Sequence, residues 1–305
     1  MKLTNFLSRA LLLAGVAVFS LTFAACGGSD DDDPTPDTPT WDPTTETRPD
    51  ATALSGLLKG KDGKYYLMTK YGSREYTYNG QWIEYINDYE WSPGKFTSPT
   101  ATYSYTLDGK GRIETLRLQE KNTSGSTEYD WTTKFTYNAY GVSSATLTGT
   151  EKYYWSDGQL YETVDIDQTT TYTWKDGDIT EEKTTTKRTS HIQSTGSTTS
   201  RTSNVVYTYT YSSVENTSGQ IYPALYPHWL IGSFMAGLSS TKHELASYVR
   251  KQLDRPDDKD LNYTTNYEWT YNNAGLISEM KYTTNESGKI NTNIVKYGYT
   301  EYTKK

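Results

Sequence analysis

The chain has 305 residues and a formal net charge of −7, with 29 tyrosines, 8 tryptophans and a single cysteine. One cysteine excludes an intramolecular disulfide, and the acidic balance with no cluster of Lys and Arg argues against a nucleic-acid partner, which needs a basic footprint. A mean hydropathy of −0.78 leaves few aliphatic residues for a core, so the aromatic rings, each able to bury roughly 150–250 Å², must supply it.

The amino terminus reads as a secretory leader over residues 1–25: Lys2 and Arg9, an apolar run from Ala10 to Phe23, then Ala24 and Ala25. The run is interrupted by Gly15, Ser20 and Thr22 and falls short of the ~20 apolar residues of a spanning helix. Phe23-Ala24-Ala25-Cys26 resembles the lipobox of bacterial lipoproteins, which implies diacylation of the Cys26 thiol and a membrane partner held through that lipid. Loss of Lys2 and Arg9 with the leader would take the formal charge from −7 to −9.

Residues 26–50 read as a tether. Four aspartates, Asp30 to Asp33, precede Pro34, Pro36, Pro39 and Pro43, a composition that stays extended and builds no core. Ser29-Asp30-Asp31-Asp32-Asp33 behind the cysteine is similar to the export signal that sends Bacteroidetes lipoproteins to the outer face of the outer membrane. The resemblance implies an outer-membrane lipoprotein facing the cell exterior.

From 51 to 305 the pattern is that of one β-rich domain. Tyr129, Trp131, Thr133, Phe135 and Tyr137 alternate with Asp130, Thr132, Lys134 and Thr136, and Tyr263 to Tyr271 behaves likewise. Period-two alternation with one apolar and one polar face predicts half-buried antiparallel strands. A repeat overlies it: two aromatics spaced by one residue, a turn with Gly, then an aliphatic. Copies are Tyr103/Tyr105/Gly111/Ile113, Tyr172/Trp174/Gly177/Ile179 and Trp269/Tyr271/Gly275/Ile277, with degenerate ones at Tyr76/Tyr78/Gly80/Trp82, Phe135/Tyr137/Gly141/Val142, Tyr154/Trp155/Gly158/Leu160 and Tyr209/Tyr211/Gly219/Ile221. Irregular spacing argues against a solenoid. The expected fold is mainly β: one large curved antiparallel sheet or open barrel of Tyr-rich hairpins.

Two segments break the alternation. Residues 184–203 are almost wholly polar and read as a long solvated hairpin or a loop. Residues 224–253 carry Trp229, Leu230, Phe234 and Leu238, then capping-box spacing from Thr241 to Glu244 ahead of Leu245, Val249 and Leu253. That pattern predicts one or two helices inserted there, covering the concave side of the sheet.

With these features the chain resembles a family of uncharacterised Bacteroidetes lipoproteins whose domain has a porin-like fold; the residues carrying it are the lipobox and aspartates, the Tyr-x-Tyr hairpins and the insert from Tyr226 to Leu238 followed by Ser239-Ser240-Thr241-Lys242. The hairpins also resemble YD repeats, loosely, with Gly111-Arg112 the closest copy. The family implies fold and location and supplies no activity. A pore does not follow, because the strands place Thr, Glu and Lys opposite the aromatics where a membrane barrel presents aliphatics to lipid.

Chemistry is sparse. His191, His228 and His243 lack zinc-ligand spacing. Asp258, Asp260 and Asn262 begin like a calcium loop but continue with Tyr263 and Trp269 where Gly and Glu are required. Ser239 and Lys242 lack the companion motifs of penicillin-binding enzymes. Asp165 and Asp167, or Glu181 and Glu182, are acid pairs of no diagnostic spacing. No cofactor fingerprint occurs. The expected function is a non-enzymatic interaction or envelope protein, with a glycan-binding module as the alternative and a hydrolase as the second. Carbohydrate or another envelope protein are the partners considered, and Trp82, Tyr89 and Trp91 are the candidate ligand-binding residues.

Overall fold

The computed structural model describes residues 43, 46–53, 55–110, 112–122, 125–216 and 241–303. The leader, Cys26, Ser29, Asp30 to Asp33 and the apolar segment 224–240 lie outside the described residues. So does the Gly219/Ile221 copy of the repeat.

Seventeen strands occur in order: β1 (Leu57–Lys59), β2 (Tyr65–Tyr71), β3 (Arg74–Asn79), β4 (Trp82–Ile86), β5 (Tyr89–Ser92), β6 (Lys95–Thr97), β7 (Ala101–Leu107), β8 (Ile113–Lys121), β9 (Thr127–Tyr137), β10 (Val142–Tyr154), β11 (Leu160–Lys175), β12 (Asp178–Ile192), β13 (Ser197–Glu215), β14 (His243–Gln252), β15 (Tyr263–Tyr271), β16 (Ile277–Glu286) and β17 (Lys289–Glu301). Each from β2 onward pairs antiparallel with the next, and β17 pairs back onto β2 through Tyr297↔Tyr71 and Tyr299↔Met68. The result is a closed sixteen-strand barrel. β1 stands outside that ring order. It takes the stretch of β2 beyond the two-pair β2–β3 ladder, and Gly56 N donates to Gln81 O at 2.9 Å, so it wedges the place where β2 and β3 splay.

Two expectations are corrected. The sheet is closed, because β17 continues the alternation and meets the free edge of β2, and pairing that edge satisfies a row of N–H and C=O groups. No α-helix occurs among the described residues, and the segment predicted as the second helix is strand β14. Its period is disguised by a register shift between Thr210 and Tyr211 on β13, which leaves Leu245 and Tyr248 three apart, and by inward-facing Arg250 and Gln252, buried polar residues where a strand would show hydrophobics. Residues 184–203 form the long hairpin of β12 and β13, paired from Glu181↔Thr208 to Ile192↔Ser197.

The repeat marks one end of the barrel. Asp108, Asn138 and Asn272 each fold a hairpin turn by accepting backbone N–H groups, as in Asn138 Oδ1 from Tyr140 N at 2.8 Å and Gly141 N at 3.0 Å. The aliphatic that follows is fully buried at Ile113, Ile179 and Ile277. Near the end of four outgoing strands, β9, β11, β15 and β17, an aromatic donates to a backbone carbonyl near the start of the preceding one. Tyr137 reaches Ile113 O at 2.6 Å, Trp174 reaches Val142 O at 2.9 Å, Trp269 reaches Leu245 O at 2.9 Å and Tyr299 reaches Ile277 O at 2.7 Å. These bonds latch strand to strand around the rim.

Inward residues form one contiguous buried cluster running from Leu58 and Met68 round to Tyr297. Replacing Tyr137 or Tyr299 by Phe keeps the ring and deletes the latch; each is expected to cost about 1 kcal/mol in denaturant unfolding, whereas Tyr140→Phe, at an exposed turn, should change stability by less than about 0.5 kcal/mol.

Candidate functional site

The opposite end of the barrel is uneven. β10, β11, β12 and β13 run 13, 16, 15 and 19 residues, against 5, 4 and 3 for β4, β5 and β6. At about 3.3 Å per residue, the long strands form a wall whose inner face is half open. Register places Tyr129, Glu151, Val164 and Ser190 in one inward row and Trp131, Gly149, Ile166 and Arg188 in the row below it.

Gly149 makes that second row possible. A Cβ there would stand 2.1 Å from Asp130 O and 2.9 Å from Trp131 Cδ1, so the Trp131 indole lies across bare backbone. Tyr129 packs edge-on to that indole with centroids 5.1 Å apart. Trp131 Nε1 is buried and has no hydrogen-bond acceptor.

Charge enters beside these rings. Glu151, fully buried, accepts from Arg188 Nη1 at 3.2 Å and Nη2 at 2.5 Å, and also from the Tyr153 hydroxyl. The Arg188 side chain remains 39 % exposed. A buried carboxylate is tolerated when a bidentate guanidinium and a hydroxyl share its lone pairs. Burial, followed by the Glu151 charge, holds the Tyr153 hydroxyl well above the usual phenol range. From Tyr153 the aromatics step outward: Tyr161 is 6.1 Å away and Trp155 a further 4.6 Å, on the turn that joins β10 to β11. Trp155 is 57 % exposed. Glu162 lies opposite Tyr153 and accepts from Ser190 Oγ.

Deeper in the wall, Glu182 is 1 % exposed and accepts from Tyr209 OH at 2.8 Å and Thr184 Oγ1 at 3.2 Å. Burial pushes its carboxyl up to about 8, against the smaller opposing pull of those two hydroxyls. Across β13 and β14, Arg250 donates to Tyr207 OH at 3.3 Å and Gln252 Oε1 at 3.1 Å and also to Leu261 O.

The sequence candidates lie elsewhere. Tyr89 and Trp91 share the inward face of β5; Tyr89 meets Tyr103 edge-on at 5.5 Å and Trp91 Nε1 donates to Tyr105 OH at 2.9 Å. Trp82 follows the β3–β4 turn under the Arg48 guanidinium, 5.8 Å from its ring centre. Those three are not gathered in one open patch. Asp258 and Asn262 close their own loop, with Asn262 Nδ2 donating to Asp258 O at 2.6 Å. His191 pairs with Asp165 and His243 with Asp178, and among the described residues no group of three His, Cys, Asp or Glu could hold a metal. Tyr161 and Arg188 were not singled out from the sequence, and Trp155 was read only as an aromatic of a degenerate hairpin repeat. The only signal was the consecutive Tyr153-Tyr154-Trp155, which breaks the alternation at a turn.

No family model and no curated protein matches the chain. Among solved structures it is similar to a porin-like protein from Bacteroides vulgatus ATCC 8482, with a TM-score of 0.41 and 11 % identity over 82 % of this chain and 98 % of that one. It is also similar to a porin-like protein from Bacteroides uniformis ATCC 8492, with a TM-score of 0.36 and 15 % identity over 80 % and 88 %.

Two outcomes follow from the wall. Gly149→Ala should destabilise the barrel by about 1–3 kcal/mol, since neither the Asp130 carbonyl nor Trp131 Cα can withdraw without disturbing the ladder; thermal unfolding checks this. An acid whose pKa is raised in the folded state keeps its proton there and loses it on unfolding. The Glu182 contribution is therefore complete below its unfolded value near 4.5 and is lost as pH rises through about 8. The unfolding free energy from denaturant titrations should fall between pH 5 and pH 8, by up to about 1.4 kcal/mol per pH unit, and Glu182→Gln should flatten that slope.

Proposed function

We propose that this chain is a lipid-tethered envelope barrel that stands in water beside its membrane and works by binding at the open end of the long-strand wall. The observation that carries the reading is the polarity of the two faces. Outward positions on β8 and β9 are Thr115, Arg117, Gln119 and Lys121 against Lys134, Thr132, Asp130 and Glu128, while the inward ones are Leu116 and Leu118 against Thr133 and Trp131. On β11 and β12 the outward face holds Asp165, Asp167, Lys183 and Lys187. Ion pairs such as Arg117–Asp130 at 2.7 Å and Lys281–Glu268 at 2.9 Å cross that outer surface.

A membrane-spanning barrel is the reverse, with an apolar outer band; each Lys or Arg on a lipid-facing surface near the midplane costs roughly 2–4 kcal/mol. This outer face is suited to water. Membrane attachment then falls to the amino terminus, where the small residues before Cys26 and the Asp30 to Asp33 run support lipidation and display on the outer face. Two or more acyl chains would hold the barrel stably.

Fractionation tests the anchor and the water-facing body together. Wild type is expected in the membrane fraction and Cys26→Ala in the soluble one, with the same thermal midpoint. Retention of Cys26→Ala in membranes after a high-salt wash would show that the barrel itself holds the bilayer and would overturn the reading. Protease added to intact cells should degrade the wild-type body, and alanine at Asp30 to Asp33 should protect it.

A further inference from the structure

The open wall carries two arginines where the ladder disfavours them. Arg188 on β12 and Arg201 on β13 are direct cross-strand partners, so both side chains leave the same inner face, and like charges placed opposite each other destabilise a sheet. This occurs in a chain of formal charge −7. Glu151 neutralises Arg188 and is itself fully buried. Arg201 is 55 % exposed, and its Asp254 contact is loose at 3.9 Å. An anion lying along the wall would relieve the pair.

The rings above supply a second and different kind of contact. Trp155 is exposed beside Tyr161, and Tyr153 continues the steps down to Glu151. Flat aromatic surface flanked by hydrogen-bonding side chains matches the C–H faces of a pyranose, with hydroxyl partners in Glu162 and Ser190. Tyr153 stands in the row of Ile192, four residues along β12 from Arg188, a span of about 13 Å. That exceeds one sugar ring, so the wall fits a short chain of sugars and not a monosaccharide.

We propose that this wall binds an acidic oligosaccharide, one pyranose stacking on Trp155 and Tyr161 while the anionic group of a neighbouring sugar pairs with Arg188 and Arg201. The assignment rests on the reading that the barrel works through its open end. It is tested in solution with the purified full-length chain, so its failure is distinct from a failure of the membrane anchor in fractionation.

Tryptophan fluorescence would be titrated with trigalacturonate, a heparin-derived sulfated disaccharide and neutral maltotriose. The expected result is saturable quenching by one or both acidic probes, the responding probe showing whether carboxylate or sulfate is read, with no response to maltotriose. Trp155→Ala and Arg201→Gln replace exposed residues and should not lower the thermal midpoint, which Arg201→Gln is expected to hold or raise by removing the like-charge pair, while each weakens binding at least tenfold. Added salt should weaken binding in wild type and have less effect in Arg201→Gln. No saturable response to either acidic probe, equal binding of maltotriose, or wild-type affinity in both variants would overturn the proposal.

Discussion

Closure of the sheet between β17 and β2 is the constraint on which the rest of the molecule depends. Once Tyr297 and Tyr299 pair with Tyr71 and Met68, every strand from β2 to β17 has a neighbour on both sides, which covers the ring edges that would otherwise be open to another chain. Closure also divides the side chains by period two into an inner and an outer set. A one-residue slip in any ladder would turn Tyr and Leu outward and Lys and Asp inward, so the alternation in sequence and the closed ring specify each other. β1 serves the same end at one of the two shortest junctions, where Lys70↔Glu75 and Tyr71↔Arg74 join β2 to β3.

Tyrosine makes such a barrel feasible in a chain with few aliphatics. Its ring supplies apolar area while its hydroxyl answers a polar group in the same place, and the rim latches at Tyr137 and Tyr299 spend that hydroxyl on backbone carbonyls near the first residues of neighbouring strands. Tryptophan does the same with its indole N–H at Trp174 and Trp269. The β12–β13 hairpin, whose outward residues are mostly Thr, Lys and Ser, holds by its backbone ladder and by inward contacts such as Tyr209 with Glu182.

The two ends of the barrel differ in kind. At the latched end, small Asx-folded turns and buried isoleucines seal the core. At the other, strand length outruns the neighbouring elements, and the inner face emerges as a half-open wall that keeps its inward register but loses full cover. Buried ionic groups there are matched locally, Glu151 by Arg188 and Tyr153, while Arg201 and Trp155 remain exposed. This asymmetry separates an end where the core is sealed from an end where part of the inner face is exposed.

Strand type, face assignment and hairpin turns were legible in the sequence, because alternation at Tyr129 to Tyr137 and Asx-Gly turns such as Asn138 to Gly141 are local properties of the chain. The helix expected near Thr241 to Leu253 failed for a local reason with a distant cause: a register shift and inward-facing Arg250 and Gln252 imitate a longer period, and only the partners Tyr207, Leu261 and Gln252 make burial of that guanidinium acceptable. Closure of the ring and assembly of the wall from β9 to β13 were beyond sequence reading. Arg188 meets Glu151 across 37 residues and faces Arg201 only through ladder register. The sequence by itself determined which side is wet in the strands that alternate cleanly, such as β9 and β15, since that depends on neighbours two residues apart; which wet and dry residues meet was decided by tertiary pairing, since register between distant strands is a property of the closed sheet alone.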